Sequence, residues 1–184
     1  MAGTHEDNIF FIGDFDDHLE QQVIVPLTQQ VATQSERADG RIDLYINSIG
    51  GYGHLVMHMI MLVEAAKRQG VIVRTIVPNM AFSAGSMLAI TGTPGERYID
   101  RHADHLVHYG QIASFETTQE QVTRYRKYKE RQFKHMLSHY VTYTDIPKED
   151  LERNMADDAW FIPARDCIKW GLADKYTDKL DIYE

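Results

Sequence analysis

IDLYINSIGGYG, residues 42–53, decides the fold. Its first half is a short run of aliphatic and aromatic residues, which predicts a buried strand over 42–47. Gly50, Gly51 and Gly53 then allow a sharp turn. From His54 to Gln69 the apolar residues take helical spacing, and Gly70 stops them. Strand, glycine turn and helix thus follow in immediate succession.

The same order recurs downstream. VIVRTIV (71–77) is a β-branched strand, Pro78-Asn79 turns the chain, and MAFSAGSMLAIT (80–91) reads as a short buried helix. Upstream, IFFI (9–12) is a strand ended by Gly13. Leu19, Val23, Leu27 and Val31 mark a helix over 15–34, with Asp14, Asp16 and Asp17 at its start and Pro26 as a kink. RYI (97–99), HLVHY (105–109) and WFI (160–162) are further short strands. A long charged amphipathic helix is predicted over 116–140. Another follows over 144–155, capped by Asp145 with Pro147 near its first turn. Pro163 opens a last helix that Gly171 ends. Strands alternating with helices imply an α/β fold with mostly parallel pairing and right-handed crossovers. With no internal repeat or linker, residues 1–184 form one expected domain.

Composition narrows the function classes. The chain has 184 residues, 43% of them hydrophobic and 25% charged, as a globular domain with a real core requires. A formal net charge of −8 argues against a nucleic-acid surface. Cys167 is the single cysteine, so no intrachain disulfide forms; it reads as a packing residue in a reducing compartment. The N-terminal MAGTHEDN lacks the pattern of a signal peptide, and no apolar run is long enough for a membrane helix. A cytoplasmic protein is expected.

Ser83 follows a strand and a turn and opens the predicted buried helix, where backbone N–H groups lack partners. It reads either as a helix cap or as a nucleophile beside oxyanion donors. The glycine turn 48–53 reads either as a tight βα turn or as an anion-binding nest. Both lie at the C-terminal ends of strands, where α/β sheets bind ligands, so Gly51 and Ala84 could supply two N–H donors to one oxyanion. A nucleophilic serine needs a base. His102, His105 and His108 share one segment, and their arrangement alone does not choose among them. No metal motif and no cofactor motif is present.

The segments IFFIGDFDDH, LYINSIGGYG, MAFSAGSMLAITG, HLVHYG, LERNMADD and KWGLAD, in this order over about residues 9–175, resemble the proteolytic subunit family of the Clp protease. The resemblance implies a fold of the ClpP/crotonase type: α/β, with repeated ββα units and a protruding handle helix, here about 116–140. It implies a serine endopeptidase with Ser83 as nucleophile, His108 as general base and Asp158 as the orienting acid. Gly51 and Ala84 would form the oxyanion hole. It further implies heptameric rings stacked as a tetradecamer, peptide or unfolded-protein substrates, and an AAA+ unfoldase as partner. Nucleic acid, membrane, metal and cofactor are not expected.

Four departures from the family pattern bear on these expectations. One residue is added in AWFIPA after Asp158, so Asp157 or no acid at all could face His108. The family's S-P-G-G is S-I-G-G here, with Ile49 in place of proline. Only about eight residues precede the first strand, where the family carries longer axial loops, which argues against unfoldase docking. GQIASFETT after His108 keeps one glycine where the family is glycine-rich and pairs with substrate. Two other functions are compatible with parts of the pattern. One is an inactive ring subunit that scaffolds active paralogues; the other is a crotonase-like acyl-CoA enzyme using the paired N–H groups alone.

Overall fold

A computed structural model of the chain describes residues 8–109, 118–157 and 159–180. The elements run β1 (Ile9–Ile12), α1 (Val25–Ser35), β2 (Arg41–Ile46), α2 (Gly53–Arg68), β3 (Ile72–Val77), β4 (Met80–Phe82) and α3 (Ala84–Ala89). They continue with β5 (Arg97–Ile99), β6 (Asp104–Val107), α4 (Gln119–Tyr143), α5 (Lys148–Asp157), β7 (Trp160–Pro163), α6 (Ala164–Lys169) and β8 (Lys175–Tyr176). The fold is α/β, as the alternation of patterns requires.

Two sheets carry it. The first has the order β1-β2-β3-β5-β8 and is parallel throughout. Its central strands turn one apolar face to the core, with Ile42, Leu44, Ile46, Val73 and Val77 all buried, while the opposite face carries the buried Asp43–Arg74 ion pair. Helix α2 seats Leu55, Val56, Met59, Ile60, Leu62 and Val63 against this core. The second sheet is β4-β6-β7, parallel between β4 and β6 and antiparallel between β6 and β7.

Several expected elements differ in detail, each for a physical reason. The segment 80–91 is half strand: β4 runs to Phe82 before α3 starts at Ala84. Partners make the strand, because β6 pairs with β4 along its length and the loop after β2 bridges Ser48 to Ala81. The helix expected from residue 15 begins at Glu20 with a π-helical turn, Glu20–Ile24, that runs into α1. Pro26 lies in the first turn of α1, where a missing N–H is tolerated. Helix α5 starts after Pro147 and not after Asp145, whose N–H donates instead to the Trp170 carbonyl (2.8 Å).

The long helix α4 is offset from its expected range of 116–140. Thr118 and Gln121 form a capping box at its start: the Gln121 N–H donates to Thr118 Oγ1, and the Thr118 N–H donates to Gln121 Oε1. Along α4 only Leu137 and Tyr140 are buried. The first turns project as a charged rod and the last turns anchor it. That anchor is partly ionic. Arg97 pairs with Asp174 through two nitrogens and donates to the carbonyls of Ile90 and Tyr143, which ties β5 to the ends of α3 and α4. Burial alone would raise the Asp174 carboxyl; Arg97 and the Gly95 N–H outweigh it and hold it below its ordinary value. No helix among the described residues is long and apolar enough to cross a membrane.

Candidate active site

Ser83 is the hinge between β4 and α3. It has φ 54° and ψ −114°, the sole positive φ among described non-glycine residues. Such a conformation costs about 1–3 kcal/mol and persists where the surroundings over-determine it. Here they do. The Ser83 N–H donates to the Leu106 carbonyl (2.8 Å), the Met87 N–H donates to the Ser83 carbonyl (3.1 Å), and the Phe82 N–H donates to the Ser48 carbonyl (2.9 Å). The bend turns the hydroxyl out of the helix: Ser83 makes no side-chain capping bond. Of the two readings of this serine, the cap is therefore not the one adopted.

The pairing of β4 with β6 brings a histidine to this hydroxyl. Phe82 lies opposite Leu106, so the next residue of β4 and the residue two beyond Leu106 share one end of the sheet. Ser83 Oγ is 2.8 Å from His108 Nε2. The other two histidines of the segment lie apart from the hydroxyl. His102 is exposed beside Asp100, and His105 faces the core, fully buried.

The glycine turn lies against the same serine. A Cβ on Gly50 would stand 2.8 Å from Ser83 Cβ, so only glycine allows this approach. A Cβ on Gly51 would fall 2.3 Å from the Phe15 carbonyl oxygen, and both glycines have positive φ. The amides of the turn are nearly all engaged. Ile49 N–H donates to Asp14 Oδ1 (3.0 Å), Gly50 N–H to Ser48 Oγ (3.0 Å) and Tyr52 N–H to the Phe15 carbonyl (2.7 Å). The Gly51 N–H is left without an acceptor among the described residues. Ala84 is the first residue of α3, where no intrahelical acceptor exists for its N–H. Asp158 lies outside the described residues, as does the stretch 110–117.

A second serine–histidine pair sits one layer below, and the sequence reading gave it no role. Ser86 Oγ is 2.9 Å from His105 Nδ1 and accepts a 2.9 Å hydrogen bond from the Tyr140 hydroxyl. This joins α3 and β6, which adjoin Ser83 and His108, to the anchored end of α4. Alternation along β6 was the available signal, since His105 points opposite to its even-numbered neighbours. All three residues are buried, and His105 Nε2 has no partner among the described residues. Burial, with a smaller contribution from Arg97, pushes the His105 ring down to about 3 from its ordinary 6.5.

That depression makes a pH prediction. Below pH 6.5 the unfolded chain takes up a proton at His105 that the folded chain refuses until about pH 3. Stability therefore falls with pH across this window, by up to about 1.4 kcal/mol per unit from this one group. Urea unfolding between pH 7 and pH 5 should show a shallower acid slope for His105→Gln than for the wild type, whatever its offset. Equal slopes would remove His105 as the cause.

Comparison with known proteins agrees with this architecture. A family model described as Clp protease matches residues 3–179. The ATP-dependent Clp protease proteolytic subunit 2 of Streptomyces coelicolor is 28% identical over 191 residues, covering 98% of this chain and 81% of that protein. The ATP-dependent Clp protease proteolytic subunit of Deinococcus radiodurans is 28% identical over 183 residues, covering 95% and 82%. Subunit 4 from Streptomyces avermitilis is 27% identical over 183 residues, covering 95% and 74%. Over nearly its whole length, then, the chain belongs to the Clp protease family.

Proposed function

We propose that this protein is a serine endopeptidase subunit of a self-compartmentalised ring protease, with Ser83 and His108 as its reacting pair. One observation carries the reading: Ser83 Oγ stands 2.8 Å from His108 Nε2 on a backbone whose strain frees the hydroxyl from capping.

In the proposed reaction Ser83 Oγ attacks the peptide carbonyl carbon while His108 Nε2 takes the hydroxyl proton. Nε2 must therefore start unprotonated, with the ring hydrogen on Nδ1. The carbonyl oxygen becomes an oxyanion, and the N–H groups of Gly51 and Ala84 donate to it. The Gly51 amide, without an acceptor among the described residues and set between the engaged N–H groups of Gly50 and Tyr52, supports this assignment. His108 then protonates the leaving amine, leaving an acyl ester on Ser83. A water deprotonated by His108 hydrolyses the ester. Asp158 is the acid assigned to orient His108 and stabilise its charged form.

Family membership supports self-assembly into stacked heptameric rings, with the exposed part of α4 as a ring-to-ring contact. It supports unfolded proteins or peptides as substrates and a cytoplasmic site of action. An active-site serine phosphonate tests the reading. The wild type should gain one adduct per subunit, mapping by mass spectrometry to the peptide that contains Ser83. An adduct elsewhere, or an equal yield from Ser83→Ala, would sink it.

A further inference from the structure

We infer that Asp14 is a positioning residue that holds the Gly50–Gly51 turn in the conformation presenting the Gly51 N–H. The inference rests on the peptidase reading above and adds to it a residue outside the triad and the oxyanion donors. Asp14 precedes the first helical turn and looks like one more acid at a helix start. The helix begins only at Glu20, so its carboxylate has no helix end to serve.

Its partner is the turn instead. Segment 14–15 runs alongside residues 49–52 and ties them at three points. Asp14 Oδ1 accepts from the Ile49 N–H (3.0 Å), the Phe15 N–H donates to the Gly50 carbonyl (2.8 Å), and the Tyr52 N–H donates to the Phe15 carbonyl (2.7 Å). The second and third are backbone bonds that any side chain at 15 would allow. The first depends on the residue at 14 having an acceptor and the residue at 49 having an N–H. Both are properties of this sequence.

The tie also fixes direction. Successive N–H groups of the turn at 49 and 50 point to two different acceptors, Asp14 Oδ1 and Ser48 Oγ. The Gly51 N–H lies in the same peptide plane as the Gly50 carbonyl, which the Phe15 N–H holds, so its direction is set by segment 14–15. If the Asp14 tie is lost, the Ile49 N–H side of the turn is released from segment 14–15, and that peptide keeps only the Phe82 N–H on its Ser48 carbonyl. Gly50 and Gly51, both at positive φ, then let segment 14–15 and the turn shift against each other. The Phe15 bond to the Gly50 carbonyl remains, but with its neighbouring tie gone it aims the Gly51 N–H less firmly.

The consequence is kinetic, since a donor aimed at the oxyanion matters more in the transition state than in the bound substrate. In the full-length assembled protein, Asp14→Ala is expected to lower kcat for a fluorogenic peptide by about tenfold, with KM changed less than about twofold. Asp14→Asn keeps an acceptor oxygen and should return kcat to within about threefold of wild type. A proline in place of Ile49 has no N–H for Asp14 to hold, so Asp14→Ala should have no further effect in an Ile49→Pro background.

Amide hydrogen exchange gives a readout that does not need turnover: peptides spanning 49–52 should exchange faster in Asp14→Ala than in wild type. Wild-type kcat in Asp14→Ala, or an equal loss from Asp14→Ala in the wild-type and Ile49→Pro backgrounds, would overturn the positioning role. So would unchanged exchange at 49–52. A wild type that labels with phosphonate while these fail removes only the role of Asp14. A wild type that does not label removes the peptidase reading, and the exchange measurement still decides the tie.

Discussion

Replacing Ser83 with alanine is expected to lower peptide turnover by about 10⁴- to 10⁶-fold, and adding His108→Ala to that variant should cost almost nothing more. The two residues act as one unit. His108 has a role in the proposed reaction only because Ser83 has a proton to give, and Ser83 is a weak nucleophile without a base 2.8 Å away. Each single substitution should therefore approach the effect of both. The non-additivity is the informative part. If His108→Ala alone cost only a few-fold, another group would be activating the serine. If the double variant fell well below Ser83→Ala, His108 would be acting on something other than Ser83. Stability offers a second check in the opposite direction. Ser83 has a positive φ that glycine adopts freely, so Ser83→Gly should be inactive yet no less stable than Ser83→Ala in thermal unfolding.

The fold was largely legible because its signals are local. Strands β2 and β3 are short apolar runs with a glycine or Pro-Asn turn at their ends, and α2 shows a clear helical period. The split of residues 80–91 into strand and helix was not legible. A three-residue apolar strand and a buried helix look alike in sequence, and what decides between them is the backbone that β6 and the distant Ser48 offer to β4. The site follows the same division. That Ser83 and Gly51 lie at strand ends is readable from the order of patterns. Which of three histidines meets Ser83 depends on the β4–β6 register, which places Phe82 against Leu106 and so sets His108 beside the hydroxyl. Only the resemblance chose His108 in advance. The Tyr140–Ser86–His105 network was hidden for a related reason: its members come from three elements and mean nothing until those elements pack.

Asp14 shows how local reading misleads. Three acids before a helical pattern suggest a favourable interaction with the helix N-terminus. The π-helical turn and Pro26 delay the regular helix, and the chain between Gly13 and Leu19 becomes the back wall of the glycine turn. Of the three acids, Asp14 serves the turn, whereas Asp16 accepts from the His18 N–H. The same wall makes Gly51 the most demanding backbone position in the site.

Gly51→Ala is accordingly expected to lower kcat by about 10²- to 10³-fold, the range found when one oxyanion donor is removed. The side chain that is added does not touch the reacting atoms. Its Cβ falls 2.3 Å from the Phe15 carbonyl oxygen, far inside contact distance, and the residue must hold φ 136°, which an L-residue rarely adopts. The Phe15 carbonyl cannot retreat freely, because it accepts the Tyr52 N–H at 2.7 Å. The turn must therefore move, and the Gly51 N–H moves with it. Gly53→Ala is the matched control. It lies two residues on, at the start of α2, where an added Cβ meets nothing within 4 Å, so it should keep turnover near that of wild type. Labelling by the phosphonate should slow in parallel with turnover in Gly51→Ala, because the tetrahedral adduct places an oxygen where the oxyanion forms. Full labelling with lost turnover would mean that the glycine serves substrate binding or acyl-ester hydrolysis instead. Turnover within about threefold of wild type, with particle size and melting unchanged, would mean that the turn tolerates the displacement and that its amide is not the donor.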